Sequence, residues 1–565
     1  MLSLHTHSIY SILQGTINLD ELIQHAKGCE SRYVALTDTN GMYGLIQFAR
    51  KAEAENIKPI LGAYIDDPND KSMHAIFLAK NNRGYSLLCK IITTRKLKED
   101  FSLPELFRQD IKDLFVISSS IEFLEKIKSC SIWKDDVFAE LIVTEKQKKH
   151  TRKLYEFAKA NHLKIVASHP AYFQKPGDYL LYKVLSAIRL NSTLQNLDEN
   201  ELVDEEYCLK SSDEMKSTWK TLPEALWNIE YIVQNCNVNL EFDKRKFPRY
   251  DLPPGETAYS SLLKLCFQGL SEKFRPIKDN VIKRLNYELE IIEELDFSDY
   301  FLIVADIVRE AKSRGMVMIG RGSAANSLVS YCLNLSQVDP IKNNYYFERF
   351  LNRGRLTPPD VDIDFSWKER DDIIKYVYEK YGYDRVAMIS TFVTFRARSA
   401  LRETARVFGI PNAEITTYSR LIPWTAAQNL IDIHERFPET RSLRFDEEPW
   451  KSIVSIASRL AGFPRHLSIH PSGIIITPEA ITNYVALEYA KNKGLGLIIT
   501  QPDMYSVEDM GLVKIDLLSQ RSLGVMRDTL MQISRGTDMS EDDPDKFRIY
   551  NINQSSQASD LPPNL

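Results

Sequence analysis

One segment constrains this chain more than any other: Pro358-Pro359-Asp360-Val361-Asp362-Ile363-Asp364-Phe365 sets a carboxylate at every second residue between apolar ones. On a strand, Asp360, Asp362 and Asp364 project from one face while Val361, Ile363 and Phe365 pack beneath. Three like charges within about 14 Å repel one another, and in a partly buried strand they need compensation. A divalent cation is the usual compensation, because Mg²⁺ takes hard oxygen ligands, keeps several waters and accepts one or two carboxylates plus substrate phosphates. An exposed edge strand with an acidic outer face is the alternative that this segment leaves open.

Two further motifs narrow the choice. Upstream, Ile319-Gly320-Arg321-Gly322-Ser323-Ala324-Ala325-Asn326-Ser327 follows a short apolar run, Met316 to Ile319, and precedes a helix predicted through Tyr331. Its glycines let backbone approach an anion at a helix N-terminus and Arg321 adds charge, which makes a triphosphate cradle; a plain strand-to-helix connection is the competing reading. Downstream, Gly511-Leu512-Val513-Lys514-Ile515-Asp516-Leu517-Leu518 repeats the alternation and puts Lys514 and Asp516 on one face. If this strand neighbours the first, Asp516 joins Asp362 and Asp364 in a cluster able to hold two cations, and Lys514 can meet a phosphate. Two metals about 3.5–4 Å apart are the recurring apparatus of in-line phosphoryl transfer. Basic residues stand nearby in sequence: Arg349, Arg353 and Arg355 before the acidic strand, and Arg398, Arg402 and Arg406 at four-residue spacing. That spacing makes a stripe on one helix face, suited to a phosphate backbone or to solvent.

The 565 residues predict about three to five domains. With 44% hydrophobic and 26% charged residues the composition is that of a core-forming globular chain, without an apolar run of membrane-spanning length or a secretory leader. Seven scattered cysteines, odd in number and without Cys-x-x-Cys spacing, read as reduced cytosolic thiols. A net charge of −5 means that nucleic-acid contact must come from local basic patches. Up to about Arg189, strand-like runs (Tyr33 to Thr37, Ile57 to Ala63, His74 to Ala79, Leu114 to Ile117, Leu163 to Ala167) alternate with helical patterns at Leu19 to Ala26 and Gly44 to Ala54, as in an α/β layered or barrel domain. Val281, Leu285, Leu289, Ile292 and Leu295 then mark a helix, Tyr300 to Lys312 a second, and helices are expected from Ser366 to about Phe408. Gly473 to Thr477, Gly496 to Thr500 and Gly511 to Leu518 are strand-like, and the sequence turns polar beyond Arg535.

The motifs Tyr300-Phe301-Leu302-Ile303-Val304, Gly320-Arg321-Gly322-Ser323-Ala324-Ala325, Phe347-Glu348-Arg349-Phe350-Leu351-Asn352, Pro359 to Phe365 and Gly511 to Leu518, in this order, resemble the palm of the bacterial DNA polymerase III alpha subunits, the C-family polymerases. Arg465-His466-Leu467-Ser468-Ile469-His470-Pro471-Ser472-Gly473 is similar to the stretch before the last palm strand, especially in error-prone-like paralogues. The resemblance implies an α/β multidomain chain: a PHP-type α/β barrel, then a polymerase-beta-like nucleotidyltransferase palm with a mixed sheet, and a helical thumb. The implied organisation is a PHP domain over 1–190, a connecting region over 191–280, the palm over 281–395 and 470–530 around a thumb over 396–469, and a polar, disordered tail over 531–565.

By the same match Asp362, Asp364 and Asp516 are catalytic and bind two Mg²⁺, while Gly320, Arg321, Gly322, Ser323 and Lys514 meet the nucleotide. Arg349, Arg353, Arg355, Arg398, Arg402 and Arg406 are the expected DNA contacts. Primer-template DNA and dNTPs are the implied substrates in a cytoplasmic protein, with replisome subunits, or a separate chain supplying fingers and clamp-binding parts, as further partners. His5, His7, Asp38 and His74 match the PHP metal positions, for Zn²⁺ or Mn²⁺, but Thr39, Tyr64, His169 and Ala171 depart from the pattern, so a structural or docking remnant is expected there. Relative to that family the sequence stops before the fingers, which reads as a truncated product, a fragment or half of a split polymerase. The rival readings are a PHP-type phosphoesterase or 3′-5′ exonuclease, and a non-catalytic scaffold that binds DNA or a partner.

Overall fold

Short, almost wholly apolar runs such as Val34 to Leu36 and Phe115 to Ile117 are buried on both faces, which is what strands covered by helices require. The computed structural model describes residues 2–242, 244–354, 359, 361–490 and 497–536. Arg355, Asp360 and the tail from residue 537 therefore lie outside the described residues. The chain divides into two units: residues 1–243, 390–469 and 482–510 form one, and residues 244–389, 470–481 and 511–565 the other.

In the first unit six strands stand in sequence order: β1 (Tyr33–Leu36), β2 (Lys58–Asp66), β3 (His74–Ala79), β4 (Leu114–Ser118), β5 (Val137–Ile142) and β6 (Lys164–Ser168). β1 and β2 are parallel, β3 is antiparallel to both of its neighbours, and β4, β5 and β6 run parallel. The first residues of the chain lie between the sheet's two ends: the backbone of Thr6 pairs with Ala171 beyond β6, and its carbonyl accepts from Thr37 beyond β1. That insertion carries His5 and His7 into the sheet's mouth. Strand β5 has no counterpart in the sequence analysis; Glu140 interrupts its apolar run, and Glu140 turns out to be functional in the packing below.

The segment expected as a thumb forms helices over Ala397–Val407, Asn412–Leu421 and Trp450–Arg459. Their apolar faces share one core with the helix Tyr179–Leu190, joining Leu181, Val184 and Leu185 to Leu401, Ile453 and Ala457. Arg459 also reaches back to Asp178.

Later strands are β7 (Met318–Arg321), β8 (Asp362–Ser366), β9 (Val386–Thr394), β10 (Pro464–Ile476), β11 (Leu487–Tyr489), β12 (Ile498–Asp503) and β13 (Lys514–Gln520). β11 and β12 are an antiparallel pair within the first unit. In the second unit β10, β13, β8 and β7 lie side by side: β10 is antiparallel to β13, β13 parallel to β8, and β8 antiparallel to β7. This is the mixed sheet expected of the palm. The helices Asp279–Glu294 and Ser298–Ser313 precede it, with Leu285, Leu289, Phe301 and Ile303 all buried.

The structure corrects three local expectations. The strand expected at Met316 to Ile319 begins at Met318 and runs through Arg321, so the arginine stands on the sheet and not in the following turn. The helices expected from Ser366 onward are interrupted by β9, whose first residues, Val386 to Ile389, are buried. After Gly322 the chain makes a 3₁₀ turn, Gly322–Asn326, and a helix of one turn only, Leu328–Cys332. None of the seven cysteines forms a disulfide. Among the described residues no helix is long and apolar enough to cross a membrane.

Candidate active site

The acidic strand sorts its side chains as alternation demands. Ile363 and Phe365 are fully buried, while Asp362 and Asp364 share the opposite face. Strand β13 alternates likewise, burying Ile515 and Leu517 and setting Lys514 and Asp516 on that face. The register then decides the geometry: Asp516 pairs directly with Asp362, and Leu518 with Asp364. Parallel partners lie about 4.8 Å apart and residues two apart on one strand about 6.6 Å. The three carboxylates, far apart in sequence, therefore occupy one small patch of one sheet.

Positive and hydroxyl groups face that patch. Arg321 is paired with Asp362 in the β7–β8 register, and its Nε lies 3.7 Å from Asp362 Oδ2 and 3.7 Å from Asp364 Oδ1. Lys514 Nζ is 2.9 Å from Asp516 Oδ2, and Ser472 Oγ donates to Asp516 Oδ1 at 2.6 Å. Gln520 reaches Asp364 Oδ2 at 3.4 Å. Asp364 and Asp516 are only 7% and 8% exposed, and the buried Oδ1 of Asp364 accepts no hydrogen bond from the described residues. A buried carboxylate oxygen without a hydrogen bond is costly unless a cation meets it. Among the described residues no three His, Cys, Asp or Glu side chains converge closely enough to hold a metal ion as they stand. Here the backbone already brings three carboxylates together, and the side chains of Arg321 and Lys514 sit where their charge is neutralised. Three carboxylates of hard oxygen donors, one with a buried oxygen that meets only the Arg321 cation and no hydrogen bond, fit a divalent cation.

Glycine is required at two positions near the end of β7: within the strand, a side chain at Gly320 would strike the carbonyl oxygen of Leu335, and in the turn that follows, Gly322 adopts φ +73, a conformation that favours glycine. The helix-terminus part of the cradle needs correction. The backbone N–H groups of Leu328 and Val329 donate to Glu288 at 3.0 and 3.1 Å, and Ser330 N–H donates to Ser327 Oγ. Glu288, fully buried and held by Arg284 at 2.7 Å, already serves as the anion at that helix start. What remains for a phosphate is the Gly320-Arg321-Gly322-Ser323 stretch itself. Burial raises the pKa of Glu288 against the pull of these donors.

Beside Asp516, His470 Nδ1 accepts the N–H of Gly473 at 2.8 Å, which puts the ring proton on Nε2. Burial, with Lys514 and Arg370 nearby, keeps His470 below its ordinary pKa against the pull of Asp516.

The arginines expected on DNA have mixed placements. Arg353 makes a two-pronged pair with Glu294 at 2.6 and 2.9 Å, and Arg349 sits exposed in the 3₁₀ turn Phe347–Arg349. In the first unit Arg398 binds the carbonyl of Ile422, Arg402 donates to Ser419 at 3.0 Å, and Arg406 pairs with Glu403. The stripe is thus partly spent on fixing its own helices.

The first unit's histidine pocket has a different character. His5 Nδ1 bonds Glu140 at 2.7 Å and its Nε2 shares a hydrogen bond with His7 Nε2 at 2.9 Å. His7 Nδ1 lies 3.1 Å from both Ser11 Oγ and Thr39 Oγ1. Asp38 accepts from Ser8 N–H, Ser8 Oγ and Ser11 Oγ at 2.7, 2.8 and 2.7 Å. The Tyr64 ring stacks on His5 and on His74, and Tyr172 stacks on His7 with centroids 3.9 Å apart. His74 Nε2 bonds Ser119 at 2.9 Å, and His169 donates to the carbonyl of Glu206 at 2.8 Å. Two buried atoms lack a partner, His74 Nδ1 and Glu140 Oε2. His5 is thus bonded to His7 and Glu140, Asp38 to hydroxyls and a backbone N–H, and the Tyr64 and Tyr172 rings pack against the histidines. Burial lowers the pKa of His7 and His74 and raises that of Asp38; for Glu140 burial is outweighed by His5, and its pKa is lowered.

Sequence reasoning missed Glu140, Glu288, Arg370 and the role of Ser472. Glu288 lies between Leu285 and Leu289 on the buried face of its helix, a signal that a charged residue is held inside.

Comparison with known proteins gives two family matches. Residues 3–168 match the PHP domain, and residues 260–519 match the bacterial DNA polymerase III alpha NTPase domain. DNA polymerase III subunit alpha of Bacillus subtilis is 32% identical over 94% of this chain and 49% of its own length. The error-prone DNA polymerase of Symbiobacterium thermophilum is 31% identical over 94% of this chain and 52% of its own. DNA polymerase III subunit alpha of Aquifex aeolicus is 30% identical over 98% and 54%. The chain spans about half the length of the curated relatives it matches.

Proposed function

We propose, because residues 3–168 match the PHP domain and residues 260–519 the bacterial DNA polymerase III alpha NTPase domain, that the second unit carries the nucleotidyl-transfer site of a DNA-directed DNA polymerase. The observation that carries the reading is the direct pairing of Asp516 with Asp362 in parallel strands, with Asp364 on the same face. On this reading Asp362, Asp364 and Asp516 hold two divalent cations, Mg²⁺ being the species proposed. When bound, such a pair supplies charge stabilisation to both the attacking and the leaving oxygen of an in-line displacement. Arg321 leaves the carboxylates to meet the triphosphate of a dNTP, and Lys514 exchanges Asp516 for a phosphate oxygen. Gly322 and Ser323 let that nucleotide approach the backbone, while Gly320, whose open side is filled by the Leu335 carbonyl, seats the strand beside them.

Primer-template DNA is the proposed partner of Arg349, Arg353, Arg398, Arg402 and Arg406, and Arg353 would trade Glu294 for a phosphate. The same reading makes the protein cytoplasmic, with replisome subunits as further partners. For the histidine pocket the proposed role is structural, and no reaction step is assigned to it. Extension of a labelled primer by the full chain, compared with Asp362→Asn, tests the assignment: extension is expected for the former alone, and unchanged extension in the variant rejects it.

A further inference from the structure

The stretch Ile469-His470-Pro471-Ser472-Gly473 stands out in the sequence without a role, and its contacts in the second unit supply one. It lies within β10, where the His470 side chain accepts Gly473 N–H at 2.8 Å. The stretch is tied to the neighbouring strand by Arg370, whose Nη2 donates to the Pro471 carbonyl at 2.8 Å and whose Nε donates to the Leu517 carbonyl at 2.7 Å. Gly473 pairs with Asp516 across the β10–β13 ladder. The consequence falls on one side chain. Ser472, 4% exposed, donates to Asp516 Oδ1 at 2.6 Å, so that oxygen is fixed and the Oδ2 edge, shared with Lys514 at 2.9 Å, is the one able to change partner.

From this arrangement we infer that the His470–Gly473 stretch of β10, acting through Ser472 and clamped by Arg370, is a positioning device that presents Asp516 in one orientation to a divalent cation. The inference rests on the metal-binding reading of the carboxylates given above. Ser472 touches no substrate in this scheme; it acts through Asp516. An outer hydrogen bond of this kind orients a ligand and removes the entropy of its rotation, and its loss ordinarily costs about 10–100-fold in metal affinity.

The test uses Mn²⁺ alone as probe, its binding to the full chain followed by electron paramagnetic resonance, for the unsubstituted protein, Ser472→Ala, Arg370→Gln and Asp516→Asn. Ser472→Ala is expected to weaken Mn²⁺ binding ~10–100-fold with unaltered circular dichroism. Arg370→Gln should weaken it in the same direction by a smaller factor. In primer extension Ser472→Ala should lower kcat and leave the KM for dNTP unchanged, which a general loosening of the fold would not do. Unchanged Mn²⁺ affinity in Ser472→Ala, or in Arg370→Gln should the first variant not fold, overturns the positioning role while Asp516→Asn still loses the ion. Binding in Asp516→Asn equal to that of the unsubstituted chain overturns the metal reading itself.

Discussion

In the first unit His5 bonds Glu140 and His7, and Asp38 is saturated by Ser8 and Ser11, whereas in the second Asp364 keeps a buried oxygen with no hydrogen bond and faces Arg321 across 3.7 Å. Both regions bury ionisable groups at the mouth of a sheet. In the first, hydroxyls, histidines and tyrosine rings surround the carboxylates, and His74 Nδ1 and Glu140 Oε2 stay without a hydrogen bond among the described residues. In the second, like charges are gathered by strand register and balanced by the side chains of Arg321 and Lys514. The difference between them is one of charge: the first pocket mixes histidines with its carboxylates, whereas the second gathers three carboxylates on one face, which on the proposed reading is what draws a cation there.

The sharpest way to break that contrast is Asp362→Asn. We expect primer extension to fall by about 10²–10³-fold or more, with folding intact by circular dichroism; a small effect would put the two regions on equal footing. Next in size, His7→Ala should leave extension and Mn²⁺ binding alone and cost about 1–3 kcal/mol in urea unfolding, because Ser11, Thr39 and His5 lose a buried partner. A loss of extension without unfolding would assign that pocket to the chemistry. Arg321→Ala should raise the KM for dNTP about 10-fold, the worth of one charged contact, while Mn²⁺ binding is retained; a loss of Mn²⁺ binding would make the arginine part of the ion site.

The smallest effect is pH dependence. His7 and His74 have pKa values lowered chiefly by burial, so their neutral forms belong to the fold. Their contribution is complete above the unfolded value of about 6.5 and is lost as pH falls from there through the lower folded values, by at most ~1.4 kcal/mol per pH unit for each group. Glu140, lowered by His5 against its burial, adds a loss only below about pH 4.3. Urea midpoints should therefore drop between pH 7 and 5.5, less so in His7→Ala; equal slopes would deny the histidines this role.

Much of this was legible in residue order. The alternation at Asp362 to Phe365 and at Lys514 to Leu518 announced two strands with one charged face each, because a period of two has no other outlet. That these strands are neighbours is a matter of register over some 150 intervening residues, which local periodicity cannot carry; the family resemblance supplied it. Arg321 was read as a loop residue because the glycines around it look like a turn, yet β8 draws the chain into strand as far as that arginine. The helix start after Gly322 looked available to a phosphate because its occupant, Glu288, comes from a helix some 40 residues earlier. Glu140 escaped notice as the lone charge in an apolar run, where its partner His5 is 135 residues away.

The division of the backbone between the two units has a practical corollary. Each is assembled from three stretches, and the last carboxylate of the cluster belongs to a stretch that follows the final piece of the other unit. On the ribosome, then, Asp362 and Asp364 must wait for nearly the whole described chain to emerge before Asp516 can join them. No simple trimming from either end isolates the half that bears them, so any minimal catalytic core would have to be spliced, not cut.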